Sequence, residues 1–275
     1  MVENAGDDKK MLEQEGFKGS KDQDIGVYGS IFSAKTTIEG QDGGVVTSLL
    51  SRGLKEGIFD AAIVVKRTQG YNAQAVACQN PDEVLEAKGT KYLKINILLK
   101  FRELAEQGKR KIALTCTPCQ AKAARKIAEN LKQQFPDLEI TIVGLFCFEA
   151  FDAVKLKEEI RRLLNVDLDR AERTQIRKGK FCAYVDGQEF CCKVRDLDQA
   201  ADKGCHFCGD FTAQFADVSV GSVGSPAGFS TVIVRSVKGE ELVKGLDAVR
   251  ADVNLEEIVK LSKFKAQRAQ KAVLT

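Results

Sequence analysis

Apolar positions along the first half of the chain switch repeatedly between two periods. Residues 28–37 have strand character. A helix follows over 43–56 with Leu49, Leu50 and Leu54 on its apolar face, Asp42 as its N-cap and Gly57 as its stop. Short buried-type strands are expected at 61–66 and 74–78, a helical turn at 81–87, and a helix over 95–107 with Ile97, Leu98, Phe101 and Leu104 on one side. Residues 111–115 form another apolar strand run, and from 121 to 131 small residues alternate with Lys and Arg at helical spacing. The β-branched run 139–146 reads as a central strand ending at Cys147, and 154–164 as an amphipathic helix.

Strands dominate after that, at 173–177, 181–185, 189–194, 218–222 and 231–235, before two closing helices at 239–249 and 255–271. The last helix is expected to turn Leu255, Ile258, Leu261 and Phe264 inward and its many Lys and Arg residues outward, as a solvated face. Residues 1–27 form a charged N-terminal leader, solvated or a docking arm, and 28–275 a single domain. The early β/α alternation followed by a strand-rich stretch predicts an α/β fold: a mixed β-sheet flanked by helices, with C-terminal helices.

Composition narrows the function. The 275 residues are 44% hydrophobic, an ordinary globular value, and a net charge of +3 is too small to argue for nucleic acid. No apolar run approaches the ~20 residues of a membrane span, and the polar start is no secretory signal, so a cytoplasmic protein is expected. In that compartment nine cysteines call for a reason other than disulfides, and metal is the usual one.

The cysteine pattern is informative. Thr115-Cys116-Thr117-Pro118-Cys119-Gln120 lies between a strand and a helix. Thr117 and Gln120 have capping-box spacing, and Pro118 suits the first helical position. Cys119 would then lie in the first turn, where free N–H groups stabilise a thiolate. Cys116/Cys119 and Cys205/Cys208 are two Cys-x-x-Cys pairs, the second flanked by Gly204 and Gly209, and Cys147 falls at a strand end that can meet the Cys119 loop at one sheet edge. Four thiolates suit a structural zinc or an iron–sulfur cluster, and Cys116/Cys119 alone could be a redox dithiol. Cys78, Cys182, Cys191 and Cys192 sit in strand runs and read as spectators. A buried apolar Cys119 is the plainer alternative.

The second informative stretch is the glycine loop 218–228, with Gly221, Gly224 and Gly228. Its N–H groups could form an anion nest, or the loop could be a plain hairpin turn. No helix of Rossmann type follows and no Lys-Ser/Thr, so neither standard nucleotide motif is present. Asp42-Gly43-Gly44 and Gly89-Thr90-Lys91-Tyr92 are similar in kind.

Taken as an ordered set, these motifs resemble a known family. The set is Asp42-Gly43-Gly44, Gly89 to Tyr92, Pro118-Cys119-Gln120, Gly144 to Cys147, Gly179-Lys180-Phe181, Cys205 to Cys208, Ala216 to Ser219 and Gly221 to Pro226. It is similar, from about residue 30 onward, to the beta subunit of coenzyme F420-reducing hydrogenase and its relatives in formate dehydrogenases and heterodisulfide-reductase assemblies. The resemblance implies an iron–sulfur flavoprotein subunit that exchanges hydride between coenzyme F420 and FAD, and passes single electrons through a [4Fe-4S] cluster. Matching motif to motif, it implies Cys119, Cys147, Cys205 and Cys208 as cluster ligands, with Cys116 a spectator.

FAD would lie among Asp42, Gly43, Gly44, Thr47, Thr90, Lys91, Tyr92, Thr117, Pro118, Gln120, Ser222, Val223, Gly224 and Ser225. Relatives often carry tryptophan where Phe229 and Cys182 stand, which places Phe229 on the coenzyme side. Arg177, Lys178 and Lys180 form a basic group that either attracts the coenzyme's acidic tail or is a solvated edge. His206, the only histidine, is expected to tune the cluster rather than catalyse. A partner iron–sulfur subunit would relay electrons. The alternatives are a relative with the same cofactors serving ferredoxin or a heterodisulfide-reductase partner, and a zinc-stabilised binding protein.

Overall fold

The computed structural model of the chain describes residues 5–274. Helix α1 (Ala5–Gln14) and the short strands β1 (Ser20–Asp22) and β2 (Gly26–Tyr28) precede β3 (Ser30–Thr36), α2 (Val45–Lys55), β4 (Ala61–Arg67) and β5 (Ala73–Cys78). Next come α3 (Pro81–Glu86), α4 (Leu98–Glu106), β6 (Lys111–Cys116), α5 (Pro118–Lys132), β7 (Glu139–Leu145) and α6 (Ala153–Leu164). Strands β8 (Arg173–Arg177), β9 (Lys180–Val185), β10 (Gln188–Lys193), β11 (Val218–Gly221) and β12 (Ser230–Val234) follow. Helix α7 (Val237–Lys244), β13 (Ala248–Ala251) and α8 (Leu255–Leu274) close the chain.

Eight strands form one mixed sheet in the order β13-β3-β12-β11-β7-β6-β4-β5, as the α/β reading expected. Its centre, β11-β7-β6-β4, is parallel, and the flanking strands pair antiparallel. Alternate residues of each central strand face opposite ways, so one strand feeds two cores. Ile63, Ile112, Leu114, Ile140 and Ile142 pack with α4 and α5, while Ala62, Val64, Ala113 and Val143 pack with α2, α3 and α7. A second, antiparallel sheet β10-β9-β8 packs with α6 around Phe151, Leu156, Ile160 and Phe181.

Several expectations are corrected. The leader is not wholly solvated: its described residues are mostly exposed or half-buried, but Met11 and Phe17 are buried, and Glu15 pairs with Arg125 of α5 at 2.9 Å and with Lys132 at 2.8 Å. Asp42 is not the cap of α2; Gly44, in the left-handed region at φ 68°, holds that place with no side-chain hydrogen bond. The capping box at α5 does not form either, because Gln120 Nε2 donates instead to the Ile95 carbonyl at 2.5 Å. The helix expected over 239–249 stops at Lys244, and Ala248–Ala251 becomes an edge strand on β3. On α8, Phe264 is 57% exposed and Leu255 is exposed, while Ile258, Ser262, Lys265 and Ala269 form the buried stripe. Finally, Cys182 and Cys191 are directly paired across β9 and β10, with Cα atoms 4.2 Å apart, and form a disulfide. Cross-strand pairing supplies the closeness that bond needs.

Candidate functional site

The parallel strands determine where the motifs meet. In the register of β6 on β7, Cys116 lies opposite Gly144, so Cys119 and Cys147 each fall three residues further on, past the carboxyl ends of neighbouring strands. Strand β11 runs parallel beside β7, and the Ser222–Ser225 loop leaves it at that same edge. Antiparallel β3 ends there too, since Ala34 lies opposite Ser230 at the start of β12. Asp42 to Thr47 follow β3, and Gly43 N donates to Ser230 Oγ at 3.0 Å. The carboxyl edge of a parallel sheet is where open α/β folds bind ligands.

The Cys205–Cys208 segment is brought in by the chain on either side. Phe151 bridges to Leu93 and to Ala201, and Ala150 N donates to Cys205 Sγ at 3.4 Å. Burial pushes the Cys147 thiol up to about 12, Lys265 draws it back, and Cys205, Cys119 and Cys208 push it further, so all four thiols share one electrostatic neighbourhood. Burial opposes charge on Lys94, but Cys119, Asp202 and Cys205 together outweigh it and raise that ammonium's pKa. Cys116 is buried, and desolvation raises its thiol far above the ordinary range.

The spacing of the thiols bears on the metal. A tetrahedral zinc with Zn–S bonds of about 2.3 Å gathers its sulfurs within roughly 4 Å of one another. Among the described residues, no three of Cys119, Cys147, Cys205 and Cys208 have sulfurs mutually within 4.8 Å; Cys182, Glu189 and Cys191 do, but two of those are already joined as a disulfide. A cubane cluster carries each thiolate on a separate iron and so accepts a wider set. Cys119, Cys147, Cys205 and Cys208 are all free thiols and offer the four ligands that either group takes.

Around the thiols lie groups that suit an anionic flavin cofactor. Helices α2 and α5 both start at this edge, and neither start has a side-chain cap hydrogen bond among the described residues. Gln41 ties two motifs together: its Oε1 accepts from Thr90 N at 3.0 Å and its Nε2 donates to Tyr92 Oη at 3.0 Å. Tyr92 Oη also accepts from Ile176 N at 2.9 Å, joining the smaller sheet to the site. Burial, aided by Arg67, pushes the Lys91 ammonium down to about 8, although it donates to the carbonyls of Ala87, Lys88 and Gly89. Burial raises the Asp42 carboxyl.

Ser225 Oγ lies 2.8 Å from Ser33 Oγ and 2.6 Å from Thr231 Oγ1, and a groove of about 400 Å³ runs between Gly224–Pro226 and Asp252–Asn254. Gly224, at φ 85°, has the Asn254 carbonyl where a Cβ would project. The glycine loop is thus a β11–β12 hairpin connection, and it also lines the edge.

Lys178 and Lys180 are not drawn in by any described contact. Lys178-Gly179 is the turn of the β8–β9 hairpin, with φ 46° and 72°, and both lysines are exposed. Phe229 is half-buried, its N–H donating to the Pro226 carbonyl at 3.0 Å. His206 stands 3.8 Å from the Asp198 carboxylate. Sequence reasoning missed Gln41, Lys94, Lys265 and Arg268. Only Lys265 left a signal: it lies seven residues after Ile258, on the same helix face.

Fold and site together define a mixed α/β protein with cysteines from three loop segments brought toward the carboxyl edge of its sheet. Residues 30–100 match the amino-terminal family of the coenzyme F420 hydrogenase/dehydrogenase beta subunit, and residues 109–260 match its carboxyl-terminal counterpart. The chain belongs to this coenzyme F420 hydrogenase/dehydrogenase beta-subunit family.

Among its relatives, the coenzyme F420 hydrogenase subunit beta of Methanothermobacter thermautotrophicus is 33% identical over 90% of this chain and 94% of its own length. A coenzyme F420-dependent sulfite reductase of Methanocaldococcus jannaschii is 37% identical over 90% of the chain, which spans only 41% of that protein. A chain in the solved F420-reducing [NiFe] hydrogenase complex of Methanosarcina barkeri superposes with a TM-score of 0.86 at 30% identity, covering 93% of this chain and 94% of that one. Among the described residues, no helix is long and apolar enough to cross a membrane.

Proposed function

We propose that this chain is an iron–sulfur flavoprotein subunit of an F420-dependent oxidoreductase complex. It would exchange hydride between coenzyme F420 and FAD and pass single electrons through a [4Fe-4S] cluster to or from an iron–sulfur partner subunit. The observation that carries this reading is the gathering of Cys119, Cys147, Cys205 and Cys208 at the sheet edge where the uncapped starts of α2 and α5 and the Ser222–Ser225 loop also lie. Residues 28–275 would act as one cofactor-bearing domain.

Cys119, Cys147, Cys205 and Cys208 would hold the cluster. First-turn N–H groups of α2 and α5, with Thr47, Thr90, Lys91, Tyr92 and Ser225, would hold the flavin. Bound there, a flavin supplies the conversion between a two-electron hydride and the single electrons an iron–sulfur cluster accepts. The chain's own residues bind and orient. Tyr92, fixed by Gln41 and Ile176, sets one wall, and Ser33, Ser225 and Thr231 fix the glycine loop. No side chain need move a proton. A second reading keeps both cofactors but serves another acceptor, such as ferredoxin or a heterodisulfide-reductase partner. It is favoured by Lys178 and Lys180 standing exposed on a hairpin turn, without a described contact to the crevice.

The test is a visible absorption spectrum of protein purified without oxygen, before and after adding reduced F420. Flavin bands over a broad iron–sulfur shoulder that bleach on addition support the first reading. Cofactors that stay oxidised leave the second. A colourless protein containing zinc overturns both.

A further inference from the structure

Helix α8 carries a buried cation that the activity does not by itself require. Lys265 is 1% exposed, in a helix whose other cations mostly face out. Its Nζ donates to the Cys147 carbonyl at 2.6 Å and to the Asp210 carbonyl at 2.7 Å. These two carbonyls belong to different ligand segments, the exit of β7 and the residues just after Cys208. One turn on, Arg268 makes the parallel link, donating to the carbonyls of Phe148 at 3.0 Å and Cys205 at 3.1 Å.

The two cations differ in one respect. Arg268 has a counter-ion, Glu149, at 2.8 Å. Lys265 makes no ion pair among the described residues. Asp210 is the nearest acid in that segment, but Lys265 bonds its main-chain carbonyl and makes no described ion pair with its carboxyl. Asp210 Oδ2 accepts from Gln214 N. Lys94 and Arg235 are the other cations acting on this neighbourhood, and Asp202 pairs with the former. A buried ammonium held only by neutral carbonyls is costly unless an anion lies close by. The carbonyl it binds at 2.6 Å is that of Cys147, one of the four thiol-bearing residues, which marks where that anion would be.

We propose that Lys265 is a positioning and potential-setting residue for the cluster. It pins the two ligand segments together, and its fixed positive charge offsets the negative charge of four thiolates on iron. The inference rests on the cluster reading given above. Because one-electron reduction adds a negative charge to the cluster, a nearby fixed cation favours the reduced state and raises the midpoint potential. Its removal must lower that potential.

The experiment is anaerobic redox titration of the holoprotein by electron paramagnetic resonance, with iron content measured on the same samples, for wild type, Lys265→Arg, Lys265→Gln and Lys265→Met. Lys265→Met should lower the reduced-to-oxidised ratio at fixed potential about tenfold, a shift of about 59 mV for a one-electron couple. Lys265→Arg, which keeps the charge, should stay near wild type. Lys265→Gln, which keeps a donor without the charge, should follow Met and carries the test if Met fails to assemble the site. A neutral variant with wild-type iron content and wild-type potential refutes the proposal. So does Lys265→Arg falling as far as the neutral variants. A wild-type protein without iron or a cluster signal would sink the cluster reading itself, a different result.

Discussion

The buried ion pair between Arg125 and Asp217 makes a demand that can be worked through to a number. Arg125 is 1% exposed and donates from Nη2 to Asp217 Oδ2 at 2.7 Å, from Nη1 to Glu15 at 2.9 Å, and from Nε to the Phe215 carbonyl at 3.1 Å. Asp217 is fully buried and is the harder partner to abandon. Its other donors are Ile142 N at 2.7 Å and the Ser236 hydroxyl at 2.5 Å, both neutral. Arg125→Met keeps most of the apolar stem but leaves a carboxylate with neutral donors only. Removing one partner of a buried pair costs about 3–5 kcal/mol. The two remaining hydrogen bonds put this case near the lower end, about 3 kcal/mol, or a fall in Tm of roughly 6–12 °C for a chain of this size.

Far-ultraviolet circular dichroism melts at matched protein concentration and cofactor loading would read this fall. In the double variant Arg125→Met/Asp217→Asn, which removes both charges, at least half of the lost stability should return. A single-variant cost below about 1 kcal/mol, or a double variant no better than the single, would refute the argument that the unpaired buried charge dominates.

Three further outcomes follow from the geometry. A Cβ at Gly221 would enter the Phe146 ring, itself packed on Phe211 at 5.3 Å and next to Cys147, so Gly221→Ala should destabilise by about 1–3 kcal/mol and lower iron content; an unchanged Tm contradicts this. Lys91 has a folded pKa lowered to about 8 against about 10.4 unfolded, so the unfolded chain binds more protons between those values. Stability should therefore rise as pH climbs from 8 to 10, read as a shift of the urea midpoint that Lys91→Met abolishes. In iron-depleted protein at neutral pH, iodoacetamide should modify exposed Cys119 first and spare Cys147, whose thiol burial pushes up to about 12. Equal labelling of the two by mass spectrometry would show that the depleted site opens.

What the sequence made legible, and what it hid, divides along one line. Elements whose identity depends on local period were readable: β4, β6 and β7 alternate between two buried faces, and α5 keeps its small residues toward the sheet. Cys119 and Cys147 were readable as neighbours because βα loops and strand ends share an edge. Features set by distant partners were not. Gln120 has capping-box spacing, but the Ile95 carbonyl claims it. Residues 248–251 continue the apolar texture of α7, yet the open edge of β3 makes them a strand.

On α8, the series Leu255, Ile258, Leu261, Phe264 advances by three residues and drifts about 60° per step on a 3.6-residue helix. The true stripe advances by four, three and four, and takes in Lys265. A lysine there looks like an error of pattern until the carbonyls of Cys147 and Asp210 are in view.

The placement of the cores bears on the part that the four cysteines play in the fold. A structural zinc site contributes folding energy where a core is too small. Here three apolar clusters cover both faces of the main sheet and one face of the smaller one. Cys119, Cys147, Cys205 and Cys208 belong to none of them. The sheet edge, α2 and α5 are therefore held independently of the thiols. What converges on the thiols is a latch, residues 147–151 against 201–210 under α8, fastened by Ala150, Lys265 and Arg268. Cys78 and Cys116 are spent on the cores, whereas Cys119, Cys147, Cys205 and Cys208 stand outside them beside Lys265 and Arg268, so the fold does not lean on those four as a staple.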